Sequence, residues 1–245
     1  VVMIRFICFK WGKKYSHKYV NYLNNMVKKY CQLDFDFNCI TDNPAGLSID
    51  IKTYDIKEMS HWRGTSSSMF TIEKVSCFKN GFLNCNGPYV LLDLDILIHN
   101  DITEYLNSYN FYEPRIIKNY WNYENHKKTA YGDSWCDINS SFVTWKDNQL
   151  DGVFNFYQKN IDKISKVYDS FDKSLYYLQE NEYSFHPRKL VYSYNSGAEY
   201  PNDLKVATFR PDYKICIFNN SHGIGLDISD TKHWARDLWE SNREL

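Results

Sequence analysis

The stretch from Tyr89 to Ile98, YVLLDLDILI, is the most apolar in the chain, yet it carries two aspartates two residues apart. The turn signal Asn86-Gly87-Pro88 precedes it, so the spacing predicts a central strand over 89–98. A strand repeats every second residue, which sends Asp93 and Asp95 to one face together with Leu91 and Leu97. Two unpaired ionised carboxylates on a half-buried face are costly, and a cation relieves the cost. Oxygen ligands of this kind suit Mg2+ or Mn2+, and such an ion can bridge to a diphosphate and take up charge growing on it. The alternative is an edge strand with its polar face in water; the flanking hydrophobicity weighs against it.

The rest of the chain predicts what sheet this strand belongs to. Ile4 to Phe9 reads as a strand running into the basic, glycine-containing loop Lys10-Trp11-Gly12-Lys13-Lys14. Ser16 stands as an N-cap, and Tyr19, Leu23, Met26 and Tyr30 recur at helical spacing over 17–30. A second strand, Phe35 to Thr41, stops at Asp42-Asn43-Pro44. Strand, helix and strand in this order open a βαβ unit, so the expected architecture is α/β with a parallel sheet covered by helices. Further strands are predicted over 138–145 and 215–218, with helices over 152–166, 172–179 and 230–245. No repeat or linker divides the 245 residues, and one domain is expected.

Composition narrows the function. With 29 basic and 30 acidic side chains the formal net charge is -1, which gives no field to gather a long polyanion, so extended nucleic-acid binding is disfavoured. Aromatic residues reach 18%, including 21 Tyr and 7 Trp, a supply of flat faces with polar edges for a core and for stacking on sugars or bases. The seven cysteines are scattered and never spaced C-x-x-C, against a zinc site or disulfide framework. A reducing cytoplasm is the expected compartment, with no signal-type segment at the N-terminus and no membrane-spanning window.

The string Leu91-Leu92-Asp93-Leu94-Asp95-Ile96-Leu97-Ile98-His99-Asn100-Asp101-Ile102 resembles the D-x-D segment of glycosyltransferases with the GT-A fold. Three further segments fall in the order seen in family-8-like transferases of bacteria and their viruses, and together they span nearly the whole chain. The resemblance implies a Rossmann-like, mixed but mostly parallel sheet flanked by helices, with a nucleotide-binding half over 1–100 and an acceptor-side half with a closing helix over 101–245. It implies a nucleotide-sugar donor, UDP by analogy, a divalent cation, and a glycan or other hydroxyl acceptor.

Residue by residue, the resemblance assigns Lys10, Trp11, Asp42 and Asn43 to the nucleotide, with Trp11 against the base. His61-Trp62-Arg63, followed by Met69-Phe70, is similar to a segment preceding D-x-D, where Arg63 would fork onto a donor phosphate. The resemblance assigns Asp93, Leu94 and Asp95 to the donor, and Asp93 and Asp95 to the metal as well. The strand Asp137 to Trp145 is similar to one lining the sugar side and offers Asn139 and Ser140 to sugar hydroxyls; a polar strand entrance with local backbone bonds is the alternative. Phe171-Asp172-Lys173-Ser174-Leu175 resembles a D-Q-x-x-L/F position in which Asp172 orients sugar or acceptor, with Lys173 where Gln is usual; a helix-start aspartate facing the dipole is the alternative. Either Asn219 or His222 would supply a third metal ligand, and the Lys-Pro that often follows Gly223 is absent.

Two other classes compete. A sugar nucleotidyltransferase also carries acidic metal ligands, but its glycine-rich phosphate loop is missing, since 10–15 contains only Gly12. A non-catalytic carbohydrate- or partner-binding domain on the same fold is opposed by the intact Asp93 and Asp95 pair.

Overall fold

The computed structural model describes residues 3–60, 72–122, 136–219, 228 and 234–243. In chain order the elements are β1 (Ile4–Lys10), α1 (His17–Tyr30), β2 (Phe35–Thr41), β3 (Lys52–Asp55), α2 (Ile56–Met59) and a 3-10 helix (Ile72–Phe78). Then come β4 (Pro88–Leu92), β5 (Ile96–Ile98), α3 (Thr103–Tyr109), β6 (Arg115–Lys118) and β7 (Ile138–Lys146). The last are α4 (Asp151–Val167), α5 (Phe171–Leu178), β8 (Ser184–Phe185), β9 (Val191–Ser193), β10 (Ile215–Ile217) and α6 (Trp234–Glu240).

A seven-stranded sheet has the order β3-β2-β1-β4-β7-β6-β8, and a three-stranded sheet the order β5-β10-β9. Strands β3, β2, β1 and β4 are parallel, β7 runs antiparallel between β4 and β6, and β8 returns parallel to β6. This is the mixed, mostly parallel sheet expected. Its strands are apolar on both faces because both faces are covered. Phe6 and Cys8 of β1 pack with Val20, Leu23 and Val27 of α1 in one core. Ile7 and Phe9 point the other way, into a core with Val75 and Phe78 of the 3-10 helix and Tyr157 of α4. Helix α1 buries Tyr19, Leu23 and Met26 as its periodicity predicts; Ser16 takes the N-cap backbone position without a side-chain capping bond.

One strand reading is corrected. The run 89–98 is two strands: β4 ends at Leu92, and β5 starts at Ile96 in the other sheet, antiparallel to β10. Residues 93–95 make the crossing. Asp93 N–H still bonds Ser141 O of β7 at 2.9 Å, but Asp95 O already accepts Phe218 N–H at 3.1 Å, just beyond β10. The backbone changes partners between the two aspartates, so they do not share a strand face. Elsewhere the ends move by a residue or so, and the final helix is described over Trp234–Glu240, within the expected 230–245. Among the described residues no helix is long and apolar enough to cross a membrane.

Candidate active site

The parallel strands β1, β2 and β4 all end at one edge of the large sheet, and antiparallel β7 brings its first residues to the same edge, since Leu92 pairs with Phe142. Asp93 follows β4 directly there. Its Oδ1 meets Lys74 Nζ at 2.5 Å, and its Oδ2 accepts Ser141 Oγ–H at 2.9 Å. Lys74 comes from the 3-10 helix and is buried, and its ammonium also donates to Ser140 Oγ at 3.2 Å. Burial works against the Lys74 charge, but Asp93, Asp172 and Asp95 together outweigh it and raise the ammonium's pKa. The lysine therefore stays charged.

Asp95 looks the other way. Its Oδ2 accepts the Tyr15 hydroxyl at 2.7 Å, from the loop after β1. Burial first, then the neighbouring Asp93 charge, push its pKa up to about 6, against the pull of Tyr15 and of the Lys14 and Lys74 charges. Leu94 between them is buried in the core on the α1 side. Asn219 stands one residue beyond the Phe218 that bonds Asp95, which brings it to the same corner. Its Oδ1 receives Ser193 Oγ–H and its carbonyl receives Asn195 Nδ2–H at 3.0 Å.

Asp172, in the first turn of α5, accepts Ser140 N–H at 3.2 Å. Burial raises its carboxyl pKa, while Lys74 and the Ser140 bond oppose the rise. Ser140 is buried beneath this group, bridging Asp172 and Lys74. Asn139 is half-buried, and its Oδ1 is taken by Ser141 N–H at 2.8 Å, the local bond weighed as its alternative. Lys173 pairs with Asp169 at 2.8 Å.

At the ends of β1 and β2, Lys10 closes β1 opposite Thr41 and is buried. Trp11 is half-buried, packed against the core on the 3-10 helix side. Asp42 Oδ2 accepts Gly12 N–H at 3.0 Å, fastening the two strand-end loops together; Gly12 has φ +65°, which favours glycine. Asn43 is exposed, its Oδ1 occupied by Ala45 N–H at 3.0 Å. Thus Asp93, Asp95, Asp172, Ser140 and Asn219 gather at one corner, while Lys10, Trp11, Asp42 and Asn43 stand at the adjoining ends of β1 and β2. Arg63 and His222 lie outside the described residues, as do His61, Trp62, Met69 and Phe70.

Three residues at the centre were not singled out from sequence: Lys74, Ser141 and Tyr15. For Lys74 a signal existed. It is a lone cation inside the apolar segment IEKVSCF, and a buried lysine demands an acidic partner. Tyr15 gave no such signal among 21 tyrosines.

Among the described residues no three His, Cys, Asp or Glu side chains form a complete metal cage. What the corner does hold is an excess of carboxylate. Asp93, Asp95 and Asp172 all act on one ammonium, and Asp95 keeps a raised proton affinity despite it. Oxygen donors from Asp93, Asp95 and the Asn219 amide suit a hard divalent cation, so the donor set fits Mg2+ or Mn2+.

No protein-family profile matches the sequence, and no curated protein is similar to it in sequence. Solved structures are similar in fold. A glutamine-to-glutamate active-site variant of LgtC superposes with a TM-score of 0.65 at 10% identity, over 98% of this chain and 95% of that one. The galactosyltransferase LgtC in complex with donor and acceptor sugar analogues gives 0.62 at 10% identity, over 98% and 96%. The bifunctional glycosyltransferase WbbM in its apo form gives 0.62 at 10% identity, over 98% of this chain and 49% of that one. The chain therefore has the mixed α/β fold of these glycosyltransferases, with its mostly parallel central sheet flanked by helices.

Proposed function

We propose that this chain is a metal-dependent glycosyltransferase that moves a sugar from a nucleotide-sugar, a UDP-sugar, to a hydroxyl group of a glycan. The observation that carries the reading is the meeting of Asp93 and Asp95 at the edge where β1, β2 and β4 end, with Lys74 and Asp172 against them. The shared fold supports it, since LgtC is a galactosyltransferase whose structure was solved with donor and acceptor sugar analogues.

Asp93 and Asp95, with Asn219 or His222, would hold Mn2+ or Mg2+, which when bound supplies charge for the departing diphosphate. The chain's own residues do the rest. Lys74 fixes the direction of Asp93 from a buried position, so no reorganisation is needed when charge develops nearby. Asp172, held by the Ser140 amide, orients the donor sugar or the acceptor hydroxyl, and Asn139 stands beside it. The fastened loops at Gly12 and Asp42 shape the nucleotide side, with Trp11 for the base, Lys10 and Asn43 beside it, and Arg63 for a phosphate. In the transfer, the acceptor oxygen bonds to the anomeric carbon as the bond to the diphosphate breaks, and the hydroxyl proton passes to the departing diphosphate. All seven cysteines are free thiols, which suits work in the cytoplasm.

The test is donor turnover. Incubation with UDP-sugars and Mn2+, followed by NMR, is expected to show slow release of UDP that disappears in Asp93→Asn and Asp95→Asn. Binding of metal and nucleotide with no turnover on any donor or glycan would leave the non-catalytic binding domain as the better reading.

A further inference from the structure

The corner contains one bond that joins its two sides. Tyr15 reaches from the loop between β1 and α1 to Asp95 Oδ2 at 2.7 Å. The ring behind that hydroxyl is seated on structure. It packs edge-on against Tyr19 of α1, with centroids 4.9 Å apart, and the Lys14 ammonium lies 4.6 Å from its centroid on the loop side. Tyr19 is buried and packs in turn on Trp239 of α6 at 4.9 Å, which also meets Tyr22 at 4.6 Å. The hydroxyl is thus the end of a row of packed rings running from the closing helix to the carboxylate.

A carboxylate with one oxygen held by a fixed donor meets an ion through its other oxygen more readily than through both. Ca2+ accepts six to eight oxygens and takes carboxylates in either one- or two-oxygen fashion, whereas Mg2+ and ions of similar size want near-octahedral geometry. We propose that Tyr15 is a positioning residue: its hydroxyl holds Asp95 Oδ2, so that Asp95 meets the cation through Oδ1 and the corner favours Mn2+ or Mg2+ over Ca2+. The same bond links the nucleotide loop to a metal-holding side chain, so the proposal rests on the functional reading above.

The experiment uses the full chain, native and Tyr15→Phe, which keeps the ring on Tyr19 and removes the hydroxyl. Free Mn2+ is counted by electron paramagnetic resonance during titration, with and without UDP, and Ca2+ is added as competitor; heat denaturation checks the fold. The expected result is weaker Mn2+ binding in Tyr15→Phe, on the order of 10-fold as for loss of other outer-shell partners. Ca2+ should then compete better than it does in the native chain, with cooperative unfolding retained. Tyr15→His, which keeps a ring donor, guards against a loop disturbed by phenylalanine and should recover part of the preference for Mn2+. Equal Mn2+ affinity and equal Ca2+ competition in native and Tyr15→Phe chains would overturn the role given to Tyr15 while leaving the functional reading intact. A native chain that binds no Mn2+ with or without UDP would overturn both.

Discussion

The two aspartates hang from two different constructions. Asp93 belongs to the large sheet, where β1 and β2 pair in unbroken register from Ile4 and Phe35 to Lys10 and Thr41, joined by a single helix. Asp95 belongs to the small sheet, where three-residue strands brought from 96–98, 191–193 and 215–217 pair over three positions each. The first is built by neighbours along the chain and anchors its carboxylate with a buried ammonium. The second is built by distant segments; Phe218 N–H holds the Asp95 backbone carbonyl, and the Tyr15 hydroxyl holds its carboxylate. The corner is a seam: each side can be loosened separately.

The strongest break on the large-sheet side is Lys74→Met. It strips Asp93 of its buried partner and leaves Asp172 and Asp95 unrelieved, so a loss of about 3–5 kcal/mol is expected in denaturant unfolding. Adding Asp93→Asn should return much of that loss, which distinguishes stranded charge from lost packing. On the small-sheet side, Phe218→Ala removes a buried ring stacked on Tyr194 at 4.6 Å and should cost about 3 kcal/mol. It should also weaken Mn2+ binding, because the ring seats the segment whose backbone amide holds the Asp95 carbonyl.

A third test sharpens the comparison through pH. The folded Asp95 pKa of about 6 lies above its ordinary 3.8, so the native chain binds the proton more tightly than the unfolded one. Stability of the metal-free chain should then fall as pH rises through this window, and the cost should be complete above it. Asp95→Asn is expected to stabilise the metal-free chain by about 1–3 kcal/mol near pH 7 and by almost nothing below about pH 4. Thermal unfolding of both chains across pH checks this; an equal gain at every pH would contradict it. The smallest effect belongs to Lys173→Gln. Its partner Asp169 is largely exposed, so stability should change by less than about 0.5 kcal/mol, and any change in donor turnover would be assigned to the site.

The large-sheet side was the more legible one for the same reason that it is regular. Helix α1 and strand β2 have the bounds that their apolar periodicity predicts, because their partners are close in sequence. The D-x-D run was read correctly as buried and wrongly as one strand: hydrophobicity is the same on both sides of the crossing, and only the partners β7 and β10 reveal the change of sheet. Strands as short as β8 and β9 give no period to read. Lys74 was legible in principle as a cation in an apolar segment. Tyr15 was not, since its importance lies in a bond spanning eighty residues.

Whether Asp93 and Asp95 from the two sheets jointly hold a cation and a nucleotide-sugar is read by thermal shift. Native chain, Asp93→Ala and Asp95→Ala are titrated with UDP- and GDP-sugars, with and without Mn2+. A ligand that binds only the folded chain raises its melting temperature. The account requires an Mn2+-dependent rise with a UDP-sugar that vanishes in both variants; a nucleotide shift that survives either substitution, or that needs no metal, would contradict it.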